Sequence, residues 1–139
     1  IILKRKNESL LNELFLLPPF IKSKRDFYCF EHANAKANFI TNKSVVSEAK
    51  LIEKQFITKE IKNKIIIIDH ADPGFDWIFN YRINGIITKY GGANSHMAIR
   101  SAELGLPAAI GVGEKFYNKL KSYSKIKLDC KNHVINIIN

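Results

Sequence analysis

Apolar and polar positions along the 139-residue chain change their period several times, and each change marks an element. Leu10 to Leu17 is an apolar-rich, helix-compatible stretch, and Pro18-Pro19 ends it because neither residue can continue a helix. Residues 1–20 are therefore expected to form a helical connector or linker, with the domain proper over 21–139. From Asp26 to Val46 the pattern is short and extended, with Phe27, Tyr28, Phe30, Phe39, Ile40, Val45 and Val46 as strand-prone positions between Asn-rich turns. Ser47 then reads as the cap of a helix whose apolar residues Ala49, Ile52, Phe56 and Ile57 recur at three- to four-residue spacing.

Ile65-Ile66-Ile67-Ile68 is short and wholly β-branched, the pattern of a strand covered on both faces in a parallel sheet. It is expected at the sheet centre. Asp72 and Pro73 follow as an N-cap and a first helical residue for a short turn over Phe75 to Asn80. The same grammar recurs in Gly85 to Thr88 as a strand, Lys89 to Asn94 as a loop, and Ser95 to Leu104 as a helix. Gly105 and Pro107 stop that helix, and Ala108 to Ile110 supply the next strand, so residues 85–110 form a β-α-β unit. Lys125 to Leu128 and Val134 to Ile138 read as a closing hairpin. The expected fold class is α/β, with a central, mostly parallel sheet and the β-α-β unit as its chemical element.

Composition narrows the class further. Hydrophobic residues at 46% and charged residues at 25% fit a globular domain with a real core and exclude a disordered or fibrous chain. No apolar run approaches the roughly 20 residues of a membrane span, and Glu8 and Glu13 interrupt any secretion signal after Lys4-Arg5-Lys6. A cytoplasmic location without membrane contact is expected. The chain begins with Ile1, so a longer parent protein is expected as well. Its net charge of +9 raises nucleic-acid binding as a reading. Against it, the basic residues are mostly lysines spread through the chain, whereas planar recognition of bases and phosphates favours arginine.

Candidate chemistry centres on His96. Gly91-Gly92 lets the backbone pass close to a ligand, and His96 falls in the first turn of the next helix behind a cap at Asn94 or Ser95. Unpaired N–H groups and the positive end of the helix dipole, worth about 0.3–1 kcal/mol at exposed sites, favour an anion there. They also disfavour a charged imidazole, which leaves a nitrogen lone pair free to attack. Arg100, four residues on, shares the helix face of His96 and is placed to meet phosphoryl oxygens. Phosphoryl transfer through a phosphohistidine is the chemistry this pattern suits, with a structural histidine after a glycine-rich loop as the plainer alternative.

Other residues have structural readings of equal simplicity. Cys29/His32 and Cys130/His133 are both Cys-x-x-His pairs that a zinc ion would need brought together over about a hundred residues. No metal is expected, and two cysteines are too few for a disulfide framework. Asp72 is explained by capping, and His70 follows the central strand without an assigned partner. Phe75, Trp77 and Phe79 read as core rather than as a docking patch.

The segment Gly91 to Ile99, followed by Glu103 to Gly111, closely resembles the signature of the phosphohistidine swivelling domain, the mobile domain of phosphoenolpyruvate-utilising enzymes such as phosphoenolpyruvate synthase and pyruvate phosphate dikinase. The likeness extends more loosely through Thr88, the Asp72-Pro73 turn and the final hairpin. It implies a swivelling β/β/α domain in which His96 is the phosphoacceptor. Gly91, Gly92, Ser95 and Arg100 would contact the phosphate, and Thr88 and Asn94 would support the loop. Ala102 and Arg100 depart from the common form, which carries Arg and an aliphatic residue there. With Asp72 to Phe79, the His-Met-Ala-Ile-Arg version looks most like the ATP-dependent L-glutamine kinase branch of capsule phosphoramidate synthesis.

By that resemblance the chain is the C-terminal carrier domain of an ATP-dependent phosphotransferase. An ATP-grasp domain of the same parent chain would load His96 from ATP with Mg, releasing AMP and phosphate. An acceptor domain would then receive the group, onto L-glutamine or, in the alternative, pyruvate. No cofactor is expected on this domain, which would not turn over by itself. A non-catalytic interaction module and a basic nucleic-acid-binding module are the readings of another class.

Overall fold

The computed structural model describes residues 36–52 and 59–138, all within one compact unit spanning 34–139. The expected connector over 1–20, its boundary, and the strand positions before residue 36 lie outside the described residues. Among the described residues seven strands form one sheet in the order β1-β5-β4-β3-β2-β6-β7. They are β1 (Asn38–Ile40), β2 (Ser44–Ile52), β3 (Ile65–His70), β4 (Gly85–Tyr90), β5 (Ala108–Ile110), β6 (Lys125–Asp129) and β7 (Val134–Ile138). Among the described residues the α-helices are α1 (His96–Glu103) and α2 (Glu114–Leu120), with 3-10 segments at Lys59–Ile61 and Pro73–Asn80.

The centre of the sheet is parallel: β2 with β3, β3 with β4, and β4 with β5. Its flanks are antiparallel, β1 on β5 at one end and the β6–β7 hairpin beside β2 at the other. The run Ile65 to Ile68 sits in the middle and is buried throughout. Its alternation divides the core. Ile66 and Ile68 join Ile78, Ile86, Met97, Ala98 and Ile110 on the face covered by the Pro73–Asn80 segment and α1. Ile65 and Ile67 join Ile87, Tyr117, Leu120, Ile126 and Leu128 on the face covered by α2 and the hairpin. Two buried faces explain why this strand needs no polar position until Asp69.

One expected element is replaced. The helix read from Ser47 is the second half of β2, whose burial alternates from Ser44 through Glu48 and then becomes nearly continuous through Ile52. The reason is a change of partner within one strand. Residues Ser44 to Glu48 pair with β6, whereas Ala49 to Ile52 pair with β3. Ser47 caps nothing; its hydroxyl donates to the Asn63 carbonyl at 2.6 Å. Phe56 and Ile57 lie outside the described residues.

The punctuation of the β-α-β unit works as its residues dictate. Gly105 takes φ +60° after α1, and the Leu106 N–H returns to the Ser101 carbonyl at 2.8 Å, the closure expected at a left-handed helix end. Lys43 Nζ donates to the Gly105 carbonyl at 2.7 Å, which places a cation at the negative pole of the helix. No helix among the described residues is long and apolar enough to cross a membrane.

Because Ile67 is 1% exposed and packed between β3's neighbours and α2, Ile67→Ala is expected to cost about 2–5 kcal/mol of unfolding free energy, measured by urea denaturation. Val134→Ala, at a position 40% exposed, is expected to change it by roughly 0.5 kcal/mol or less.

Candidate functional site

The site lies at the carboxyl ends of β3 and β4, adjacent parallel strands in which His70 stands opposite Tyr90. Each strand feeds a helical segment beyond the sheet edge, β3 into Pro73–Asn80 and β4 into α1. Such edges collect binding groups because successive connections converge there while the strands hold their bases fixed.

The loop from β4 to α1 is held in place by Thr88. Its buried hydroxyl donates to the Tyr90 carbonyl and accepts from the Gly111 N–H, both at 3.0 Å. The Thr88 carbonyl also accepts from Gly111 and Val112. This ties the turn after β5 against the turn after β4. Gly91 has φ +136°, and a Cβ there would sit 2.5 Å from the Ala71 Cβ. At Gly111, with φ +75°, a Cβ would fall on the Gly91 carbonyl oxygen. Both positions require glycine on conformational and steric grounds. Gly92 differs, since a Cβ there meets nothing. Of the two glycines singled out in the sequence, Gly91 is needed for the close approach, and Gly92 stands open to whatever binds the loop.

The Ser95 N–H donates to the Gly92 carbonyl at 3.0 Å, closing the turn in which exposed Asn94 sits. Of the two residues read as caps, Ser95 occupies the N-cap position in extended conformation, yet its side chain makes no capping bond. Its Oγ is buried and has no hydrogen-bond partner. The first turn of α1 thus keeps its unpaired N–H groups uncapped by this hydroxyl.

His96 is the first residue of α1, with a side chain 38% exposed. Nε2 lies 2.8 Å from Asp76 Oδ1. Arg100, one helical turn on, brings its Nε to 3.4 Å from the same oxygen and its other arm to 2.9 Å from Glu103. The guanidinium also stands 5.7 Å from the centre of the Phe79 ring. The i, i+4 spacing does put His96 and Arg100 on one face. They converge on a carboxylate from the neighbouring connection.

Asp76 was missed as a functional residue in the sequence reading, which took it only as part of a motif. Pro73–Asn80 carries it: Asp72 caps that segment by accepting from the Gly74 N–H at 2.7 Å, and Ile78 anchors it in the core. The hydrogen bond from His96 holds the Asp76 carboxyl below the usual carboxylate range; desolvation opposes it, and the charge of Arg100 adds to the lowering. The helix end alone predicts a ring with one nitrogen lone pair free, and does not predict the contact with Asp76. With Asp76 ionised, Nε2 is the donor in this pair, and among the described residues Nδ1 has no hydrogen-bond partner.

The remaining candidates fall into structural roles. His70 is exposed and its ring lies 5.2 Å from that of Tyr90. Phe75, Trp77 and Phe79 pack against the core as partly buried residues. Cys130 is buried, its thiol is pushed up by that burial, and its Sγ contacts the Ala108 carbonyl at 3.5 Å. His133 is exposed and stacks on Phe39 at 5.3 Å. Cys29 and His32 lie outside the described residues, and among the described residues no group of three or more ligating side chains could hold a metal ion.

Residues 60–133 match the family model described as PEP-utilising enzyme, mobile domain, 74 of the 139 residues, from before β3 through β6. A 69-residue stretch, 50% of the chain, is 33% identical to phosphoenolpyruvate synthase of Aquifex aeolicus (strain VF5). The match covers 8% of that relative's length. Among solved structures, the solution NMR structure of a UPF0107 protein superposes with a TM-score of 0.55 at 13% identity, over 76% of this chain and 98% of that one; this likeness is one of fold.

The Asp76 carboxyl titrates with a depressed folded-state value, so the stabilising contribution of its contact with His96 is complete above the ordinary carboxyl range and is lost as pH falls through that lower value. Carbon-13 NMR of the Asp76 carboxyl is expected to give a midpoint below that of an unperturbed aspartate, and His96→Ala is expected to move it upward.

Proposed function

Because the chain belongs to the family of PEP-utilising enzyme mobile domains, we propose that it is a phosphohistidine carrier in which His96 receives and hands on a phosphoryl group. The observation that carries this reading is the setting of one ring. A partly exposed imidazole opens the first turn of α1, beside a buried, unpartnered serine hydroxyl, an open glycine and helix N–H groups that no side chain caps. These groups suit the negative oxygens of a phosphoryl group.

Loading forms a P–N bond between an imidazole nitrogen and phosphorus, as the bond from phosphorus to its donor oxygen breaks and the ring gives up one proton. Unloading reverses this at the acceptor: the acceptor atom bonds to phosphorus, the P–N bond breaks, and the ring recovers a proton. The chain's own residues supply the nucleophile and the cradle. Gly91, Gly92 and Ser95 line the approach, Arg100 is near enough to turn from Asp76 to phosphoryl oxygens, and Thr88 fixes the loop by tying it to the turn after β5.

The donor in this reading is ATP, bound with Mg by an ATP-grasp domain of a longer parent chain. AMP and phosphate are the overall products. Transfer between stations is efficient when a tether keeps His96 at an effective concentration on the order of millimolar. The acceptor is L-glutamine, a choice that rests on the His96 to Arg100 segment and the Asp72 to Phe79 segment. The match to a phosphoenolpyruvate synthase favours a second reading in which pyruvate is the acceptor. Both use His96 in the same way.

The test combines the parent protein, or this chain with its ATP-grasp partner, and ATP labelled at the β phosphate. An acid-labile, base-stable label is expected on wild type and is expected to vanish in His96→Asn. Equal labelling of the variant contradicts the assignment. Omitting L-glutamine or pyruvate in turn identifies the acceptor as the one that discharges the label.

A further inference from the structure

The carrier reading explains why His96 is exposed, but not why it is held by a carboxylate. Asp76 Oδ1 receives both Nε2 of His96 at 2.8 Å and Nε of Arg100 at 3.4 Å. The nucleophile and the cation best placed for phosphate are therefore both engaged by one anion while the ring is empty. Asp76 is 46% exposed, stands on a capped segment anchored by Ile78, and is not needed to complete the core.

We propose that Asp76 is a positioning residue that holds the empty His96 ring and disfavours the loaded one. The proposal rests on the carrier reading of His96. Empty, the ring donates an N–H hydrogen bond to the carboxylate, which fixes its orientation, and Arg100 is held by the same carboxylate. Loaded, the ring has exchanged a proton for phosphoryl oxygens, and a carboxylate at the same distance faces like charge. Asp76 is then expelled, and Arg100 passes from the carboxylate to the phosphoryl group. The contact therefore favours discharge over retention of a group carried on Nε2, the nitrogen that faces Asp76. A carrier needs that bias, since a phosphohistidine that is too stable does not pass its group on.

The experiment uses the 139-residue chain with potassium phosphoramidate as a chemical donor, so that neither ATP nor a partner domain enters. In that loading the donor's P–N bond breaks, a P–N bond to the ring forms, and ammonia leaves with the proton lost by the ring. Phosphorus-31 NMR follows the loaded fraction and, after removal of the donor, its hydrolysis. Asp76→Asn is expected to lengthen the lifetime of phosphorylated His96 about fivefold, the weight of a charge contact at half-exposed positions, and to raise the loaded fraction at limiting donor. Asp76→Ser, a smaller uncharged side chain, is expected to do the same. Asp76→Glu, which restores the charge, is expected to return the lifetime toward wild type.

Equal lifetimes in wild type, Asp76→Asn and Asp76→Ser overturn the role of Asp76, as does a lifetime in Asp76→Glu as long as that of the uncharged variants. Neither result touches the carrier reading. That reading fails separately if wild type takes up no phosphoryl group at His96.

Discussion

The geometry of the site depends on the close crossing of two turns, one after β4 and one after β5, locked by the Thr88 side chain. The Thr88 hydroxyl bonds the Tyr90 carbonyl on one side and the Gly111 N–H on the other. Gly91 and Gly111 are in contact without room for a side chain on either. Only the short turn Gly92 to Ser95, closed by the bond from the Ser95 N–H to the Gly92 carbonyl, separates this knot from the start of α1. The position of the imidazole is therefore set by backbone packing at the edge of a parallel sheet rather than by a long loop.

Parallel pairing supplies the second half of the site. Since β3 and β4 run side by side in the same direction, the segments that leave them emerge at the same edge. A carboxylate from one and an imidazole from the other can meet at 2.8 Å although they are 20 residues apart in sequence. The site is small and open. It holds a partly exposed imidazole, uncapped helix N–H groups and a nearby guanidinium, which suits the proposed carrier role. This agrees with membership in the PEP-utilising mobile domain family and with a relative of which the match covers only a small part.

What could be read from the sequence was governed by how local each determinant is. Ile65 to Ile68, the Asp72-Pro73 start and the Gly105 stop announce themselves through β-branching, capping and left-handed backbone, all properties of neighbouring residues. β2 did not, because it changes partner at Ala49. Its burial shifts there from alternating to continuous, and Ala49 and Ile52 then imitate helical spacing. α2 also escaped, being seven residues long with a glycine N-cap that makes no side-chain bond. His96, Arg100 and the glycines were legible as a contiguous motif. Asp76 was not, because its importance comes only from the adjacency of two parallel strands.

The most direct test of His96 as the carrier is phosphorus-31 NMR of the intact parent protein, labelled with nitrogen-15 in its histidine rings, during turnover with its nucleotide. The account predicts a single phosphorus resonance split by one ring nitrogen, assigned to His96 by its loss in His96→Gln while the domain stays folded. A phosphorus–nitrogen coupling that persists in that variant, or turnover with no such resonance in the wild-type protein, would contradict it.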